Sequence, residues 1–374
     1  MLSWAPSACD AAPDGGVDVD IPEDIVRRYP AVRGNALAMA RLCAFLRQKE
    51  LHDDALALGM AAIRHAPHDM MIRDIVRKSL STGVPAYHWR MLQDGPRNAI
   101  YARALERTVR AGMTVLEIGT GAGLLALMAA RAGARVITCE SNPMIAAAAR
   151  EIARSNGLAD RITVISKRSD MIELGTDLPE PADLLVHEIF GDALFNEGVI
   201  PALADARQRL AKPDAVILPR SAELRIALVA CAGAAEPAPG ASEGFDLTPF
   251  DLLKKPISRR FGAAASGVQR RSDASSVLAT CFERGALSEH RSETVMLGAH
   301  GGRIDAVAQW IRIDFGEGEI LENDPFGSYS SHWKASLFDL AQPIDTRAGD
   351  QIEVTCCGEG TTVRMNALLR QSVA

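Results

Sequence analysis

Apolar positions in the first quarter of the chain recur every three to four residues. From about residue 31 to 82, beginning with NALAMARLCAFLRQKELHDDALALGMAAIRHAPHD, this spacing predicts helices throughout. Pro67 closes the second helix, and the small residues Ala55 and Ala62 allow paired helices to approach closely. Residues 1–30 carry Pro, Gly and Asp as punctuation and read as a flexible tail. The texture changes from about residue 100. MTVLEIG, RVITCE, ITVISK and ADLLVHEIF read as buried strands, with GLLALMAARAG and NPMIAAAAREIARSNG as helices between them. Gly133 supplies a C-cap for the first of these helices. A β-α-β-α-β alternation predicts an α/β domain with a mostly parallel sheet. After Pro219 the runs AELRIALVA, AVAQWIRIDF, DQIEVTCC and TVRMNALL alternate or are rich in β formers, which predicts an all-β second domain. One stretch inside it, GFDLTPFDLLKKPISRR, reads instead as a helical insertion.

Composition narrows the classes. With 374 residues the chain can bury a large core, and 48% hydrophobic with 24% charged residues is ordinary for a globular protein. A net charge of −6 argues against a nucleic-acid partner held by phosphate contacts. Seven scattered cysteines without a C-x-x-C pair suit a reducing, cytoplasmic setting with free thiols. No apolar run reaches the ~18 residues of a membrane span, and the N-terminus lacks the basic region and apolar core of a signal peptide. No metal is expected.

Two local patterns carry chemistry. EIGTGAG, Glu117 to Gly123, lies between a predicted strand and helix, where glycines let backbone approach a ligand closely. A dinucleotide fingerprint fails here, because its third glycine would fall on Leu124. The spacing Glu117, Gly119, Gly121, Gly123 resembles that of class I S-adenosylmethionine methyltransferases, whose fold is a Rossmann-like sheet. That likeness implies that the loop cradles the methionine part of the cofactor. It places Glu140 on the ribose hydroxyls and Asp170 at the adenine edge. The second pattern is HEIFGDALFNE. Nine residues separate Glu188 from Glu197, a turn of about 900° on a helix, so neither helix nor strand puts them on one face. Only a loop that doubles back, eased by Gly191, brings them together.

Three segments in chain order, HWRMLQDGPRN (88–98), EIFGDALFNE (188–197) and SSHWK (330–334), resemble the protein arginine methyltransferases. They match that family's H-x-x-M-L-x-D-x-x-R segment, double-glutamate loop and T-H-W loop, with Ser331 in place of the threonine. GFDL near Gly244 resembles the start of its dimerisation arm. The tyrosine-rich helix that often precedes the first motif is replaced by LSTGVPAYH. The likeness covers about residues 83–374. The front helices resemble about one and a half tetratricopeptide repeats, as in some family members. The implied layout is a tail (1–30), tetratricopeptide-like helices (31–82), an S-adenosylmethionine-binding domain (83–218) and a β-barrel domain (219–374) with an arm at about 240–278.

The resemblance implies roles. Glu188 and Glu197 would hold the acceptor guanidinium, a planar cation suited to bidentate carboxylate contacts. Arg97 would pair with the cofactor's carboxylate, Met91 would pack beside its methyl group, and His88 is grouped with the cofactor residues or else holds the N-terminal segment. Asp94 and His332 would form a proton-relay pair, and Trp333 would wall the acceptor pocket. His187 reads as structural, Asp192 as a solvated turn and Lys334 as a surface charge. The expected reaction is methylation of arginine by S-adenosylmethionine, giving S-adenosylhomocysteine, in a homodimer. The acceptor is protein-bound arginine by resemblance, with free arginine or a small guanidino metabolite as the alternative. A catalytically silent scaffold using the front helices is the reading from another class.

Overall fold

The structure is a computed structural model that describes residues 21–231, 240–253, 259–262, 267–285 and 287–370. The chain divides into two compact units, with the boundary between Val84 and Pro85. The first unit is helical: α1 Glu23–Arg28, α2 Ala36–Gln48, α3 His52–His65 and α4 Met70–Ser81. Asn35 caps α2 by accepting from Ala38 N, and Asp69 caps α4 by accepting from Met71 N and Ile72 N. Met39, Cys43 and Leu46 of α2 face Ala55, Leu58 and Ala62 of α3 and Ile72 and Val76 of α4 in one core. Gly59 lets the three helices meet. A Cβ there would lie 2.9 Å from Val76 Cγ1, 3.0 Å from Leu80 Cδ1 and 3.2 Å from Cys43 Sγ. The expected tail is corrected in part. Residues 23–28 are helical and Ile25 is fully buried against this core, with Ile21, Val26 and Tyr29 packed beside it; a six-residue helix is too short for its apolar period to stand out. Residues 1–20 lie outside the described residues.

The second unit opens with α5 Tyr87–Leu92 and α6 Gly95–Thr108. A parallel sheet follows: β1 Thr114–Ile118, β2 Arg135–Cys139, β3 Ile162–Ile165, β4 Ala182–His187 and β5 Ala211–Leu218. Between its strands run α7 Leu124–Arg131, α8 Pro143–Ser155 and α9 Val199–Arg209. The strand order is β3-β2-β1-β4-β5, so the chain reverses direction across the sheet between β1 and β4. In open α/β sheets that switch point, at the strands' carboxyl ends, is where a ligand fits. Ile118 pairs with His187, and this register sets Gly119 and Glu188 side by side.

The remaining strands are β6 Ser221–Cys231, the small β7 Ala241–Ser242 and β8 Phe245–Asp246, β9 Arg259–Phe261, β10 Val268–Arg270, β11 Ser275–Cys281, β12 His290–Asp314, β13 Ile320–Glu322, β14 Ala335–Glu359 and β15 Thr362–Arg370. They pair antiparallel in the order β10-β6-β12-β14-β15, with β11 on β6 and β9 on β14. Among the described residues no pairing joins β10 to β15. The expected helical insertion is corrected too. Its described part is the β7–β8 hairpin, a six-residue 3-10 helix, Thr248–Leu253, and the start of β9, and Gly244 takes φ +82° at the reversal. The rest of the arm includes residues 254–258 and 263–266, outside the described residues. All six cysteines described are free, and no described helix is long and apolar enough to cross a membrane.

Replacing Gly59 by Val tests the helical core. A helix gains about 1 kcal/mol when glycine is replaced by a good helix former, and less for Val, whereas overpacking a tight contact costs about 1–3 kcal/mol. The expected net result is weaker hydrogen-exchange protection of α2 to α4, and unchanged or stronger protection would refute this packing.

Candidate active site

The sequence D-G-P-R starts α6 and also supplies the anchor of the site. Asp94 caps the helix by accepting from Arg97 N (3.2 Å), and Pro96 suits the first turn. The same carboxylate accepts from Tyr329 Oη (2.6 Å), Ser331 Oγ (3.2 Å) and His332 N (2.9 Å), and contacts His332 Nδ1 at 2.8 Å. One carboxylate thus ties the start of α6 to the loop before β14. Burial opposes ionisation of Asp94, but the hydrogen bonds from His332, Tyr329 and the two backbone N–H groups outweigh it and hold the carboxyl below its ordinary range.

The end of β4 supplies the next link. Arg97 Nη2 donates to Glu188 Oε2 at 2.7 Å, with both side chains almost fully buried. Arg97 Nη1 donates to Asn98 Oδ1 (2.8 Å), and the guanidinium lies over the Tyr101 ring, 4.9 Å from its centroid. Tyr101 Oη donates to the carbonyl of His187 (2.9 Å), which pins the strand end that presents Glu188. His332 Nε2 stands 3.4 Å from Glu188 Oε1. Burial would lower the His332 pKa, but hydrogen bonds to Asp94 and Glu188 raise it above the ordinary histidine value.

After Glu188 the chain doubles back. Phe190, Leu194 and Phe195 are buried, and Leu194 adopts φ +64°. A Cβ at Gly191 would overlap the Asn196 amide, which sits where that side chain would go. The loop is fastened to the second sheet at three points. Trp333 Nε1 donates to Phe190 O (3.0 Å), Lys334 N donates to Asp192 Oδ1 (2.8 Å), and Gln309 Nε2 donates to Asp192 O (3.1 Å). Glu188 and Glu197 thereby line one cavity of about 400 Å³. Glu197 is open to solvent in this hollow, yet protein surrounds it closely. Burial, then the charges of Glu188 and Asp192, push its pKa up to about 7, while His332 lowers it.

The opposite wall is the glycine loop with α5. Gly119 (φ +84°) and Gly121 (φ +50°) line the cavity, and a Cβ on Gly119 would lie 2.7 Å from Ile189 Cγ2. Glu140 accepts from Gly121 N (3.0 Å) and Asn142 N (2.9 Å) at the cavity edge. Met91 and His88 face Gly121, and His88 Nδ1 is buried without a partner. Burial lowers the His88 pKa. Glu117 stands behind the loop, fully buried, and accepts from Thr138 Oγ1 (2.6 Å). Burial pushes its pKa up to about 8.

Comparison with known proteins follows from this geometry. An arginine N(omega)-methyltransferase of Streptomyces achromogenes subsp. streptozoticus is 34% identical over 320 residues, covering 84% of this chain and 88% of that protein. The chain belongs to the arginine N-methyltransferase family. A protein arginine N-methyltransferase 7 of Oryza sativa subsp. indica is 42% identical over 139 residues, 34% of this chain and 19% of that protein. The chain thus spans about a fifth of that relative. The family model for ribosomal protein L11 methyltransferase (PrmA) matches residues 99–218. The fold is shared with the Trypanosoma brucei PRMT1 enzyme–prozyme heterotetrameric complex with AdoHcy (TM-score 0.66, 22% identity, 79% of this chain and 96% of that one). It is also shared with Arabidopsis thaliana protein arginine methyltransferase 10 (TM-score 0.62, 21% identity, 78% of this chain and 98% of that one).

S-adenosylmethionine, the family's methyl donor, fits what stands at the glycine wall. Two left-handed glycines leave the backbone bare there, Glu140 is at hand for hydroxyl donors, and His88 Nδ1 lacks a partner. Gly123 caps α7 rather than lining the cavity. Two residues expected at the cofactor do not line this cavity. Arg97 does not line the cavity, because its guanidinium is turned onto Glu188 and Asn98. Asp170 is not brought to the cavity either, because its exposed carboxylate is paired with Arg168 at 3.0 Å. Asp192 and Lys334, read from sequence as a solvated turn and a surface charge, are a loop anchor and a cavity residue. His187 is fully buried between the Phe190 and Phe282 rings, and burial lowers its pKa to about 3, so it packs as a neutral ring. Tyr329, Tyr101 and Arg260 were not singled out. A tyrosine three residues before the histidine of S-S-H-W was the one available signal among them.

If Asp94 sets the state of His332, Asp94→Asn will lower the His332 pKa. Titration of the ring signals by NMR would show this, and an unchanged pKa would separate the two residues.

Proposed function

We propose that this protein transfers the methyl group of S-adenosylmethionine to a guanidino nitrogen of arginine, with Glu188 and Glu197 gripping the guanidinium. The observation that carries this reading is the unequal state of two carboxylates on one cavity. Glu188 is balanced by buried Arg97, whereas no described donor reaches Glu197. Glu197 therefore lacks a cation, and an arriving guanidinium supplies one, in the planar geometry that carboxylates bind best. The bound cofactor supplies a methyl group on a sulfonium sulfur, leaving S-adenosylhomocysteine once the new N–C bond has formed.

The chain's part is alignment and charge control. Arg97 and Tyr101 fix the direction of Glu188, and the anchored loop fixes Glu197, so one nitrogen of the fork can be held facing the glycine wall. Met91 and Trp333 border that nitrogen's surroundings and exclude water. The attacking nitrogen gives up one proton. Glu188 is its nearest base, and His332, held by Asp94, extends the route outward.

The acceptor is protein-bound or free arginine. The relative aligned over 84% of the chain is named an arginine N(omega)-methyltransferase. The likeness to protein arginine N-methyltransferase 7 is confined to about a third of the chain. We favour free arginine on that ground. A second copy of the chain would cover Phe245 and Phe250, which are 70% and 68% exposed on the β7–β8 segment and the turn after it. Sedimentation at micromolar concentration should show a dimer, and a monomer alone would count against it.

Two variants and a pH profile test the grip. Glu197→Gln should lower kcat/KM for arginine by roughly ten- to a hundredfold with little change in stability. Glu188→Gln should cost activity and also about 3 kcal/mol of stability, since Arg97 is left buried with its charge uncompensated. In the unmodified enzyme a guanidinium binds the ionised form of Glu197. kcat/KM should therefore rise with pH through about 7 and level above it. Persistence of that step in Glu197→Gln would remove Glu197 from the binding site.

A further inference from the structure

The acceptor end of the cavity holds two cations that the methyl transfer does not need. Lys334 lines the cavity immediately after Trp333. Its Nζ contacts the carbonyl oxygen of Ser331 at 3.3 Å, and no carboxylate among the described residues lies within salt-bridge distance of it. The ammonium also rests near the backbone of Gly262, where a Cβ would lie 3.6 Å from Nζ. Arg260 lines the same cavity, and pairing of Arg260 with Ser336 sets β9 beside the start of β14. Among the described residues its contact is from Nε to Asp192 Oδ2, at 3.0 Å. The Arg260 side chain and the Lys334 backbone N–H both meet Asp192, in the loop that carries Glu197.

A lysine that merely neutralised nearby acids would sit on one of them. Lys334 does not, although Glu188, Asp192 and Glu197 share its cavity. Its neighbour Arg260 satisfies Asp192, which leaves the ammonium free for an anion from outside. The α5 wall, where His88 and Met91 stand, carries a cation of its own in Arg90. Lys334 and Arg260 are on the wall of Trp333 and Asp192, where the acceptor's far end lies if its guanidinium is held by Glu188 and Glu197.

We propose that Lys334, with Arg260 beside it, binds the α-carboxylate of the acceptor, so that the enzyme selects arginine with a free carboxyl group. The source is free L-arginine or an arginine at a peptide C-terminus, since both present the same anion. The proposal rests on the reading of Glu188 and Glu197 as the guanidinium grip.

The test compares kcat/KM on four acceptors, using the full chain with S-adenosylmethionine. These are L-arginine, agmatine (the same guanidinium without a carboxylate), a peptide with an internal arginine and a peptide ending in arginine. The enzyme should prefer L-arginine or the C-terminal arginine over agmatine and the internal arginine by roughly tenfold or more, the weight of a charge-assisted contact. Lys334→Met should raise KM for the carboxylate-bearing acceptor far more than it changes kcat or the cofactor's KM, and bring its ratio to agmatine towards one. Lys334→Arg should restore much of the ratio, which separates recognition from misfolding. Equal use of agmatine and L-arginine, an equal loss on both in Lys334→Met, or a shift confined to the cofactor's KM would overturn the subsite while leaving the methyltransferase reading intact. Failure to methylate any of the four would instead overturn that reading, and the subsite with it.

Discussion

Two carboxylates facing one cavity repel each other, and the rest of the site depends on how that repulsion is distributed. Arg97 answers it on one side only. Its guanidinium is buried with Glu188 at 2.7 Å, so Glu188 has a compensating charge before any substrate arrives. Glu197 has none, and its proton affinity rises towards neutrality. The asymmetry gives the two acids different duties. Glu188 is held in a buried ion pair, while Glu197 would be open to an incoming cation in the proposed grip. A symmetric pair, both compensated, would bind guanidinium weakly. A pair with neither compensated would lose a charge to protonation.

The same cavity is where the two sheets meet. The carboxyl edge of the parallel sheet offers Glu188 and the loop after it, and the antiparallel sheet offers the segment before β14. Their junction is mostly polar and aimed at backbone: Trp333 on Phe190 O, Lys334 N on Asp192, Gln309 on Asp192 O. Asp94 adds a third chain segment by binding four groups of residues 329–332 while capping α6. Backbone-directed bonds of this kind fix main-chain position, which is what holding a loop reversal requires. A shift in any of these segments therefore reaches the carboxylates directly.

Much of this was legible in the sequence, and the limits have physical causes. Apolar period and glycine placement located the parallel strands, because a strand buried on both faces must be continuously apolar. The order of the three motifs named the residues that meet, including Asp94 with His332. Periodicity says nothing, however, about which way a polar side chain turns once several partners are in reach. Arg97 turned to Glu188 and Asp170 to Arg168 for that reason. The short α1 was hidden because six residues make fewer than two turns, too few to show an apolar period. In the insertion, residues that suit a helix in isolation sit beside Gly244, whose left-handed backbone favours a hairpin.

Charge control extends behind the glycine loop, where the two acids of the motif behave oppositely. Glu140 lies at the cavity edge and accepts two backbone N–H groups, Gly121 and Asn142. Glu117 is enclosed, its Oε1 has no partner, and burial raises its pKa to about 8. At neutral pH Glu117 therefore carries a proton and adds little negative charge beneath the loop. Keeping Glu117 neutral leaves the negative charge beside Arg97, on the Glu188 side of the cavity.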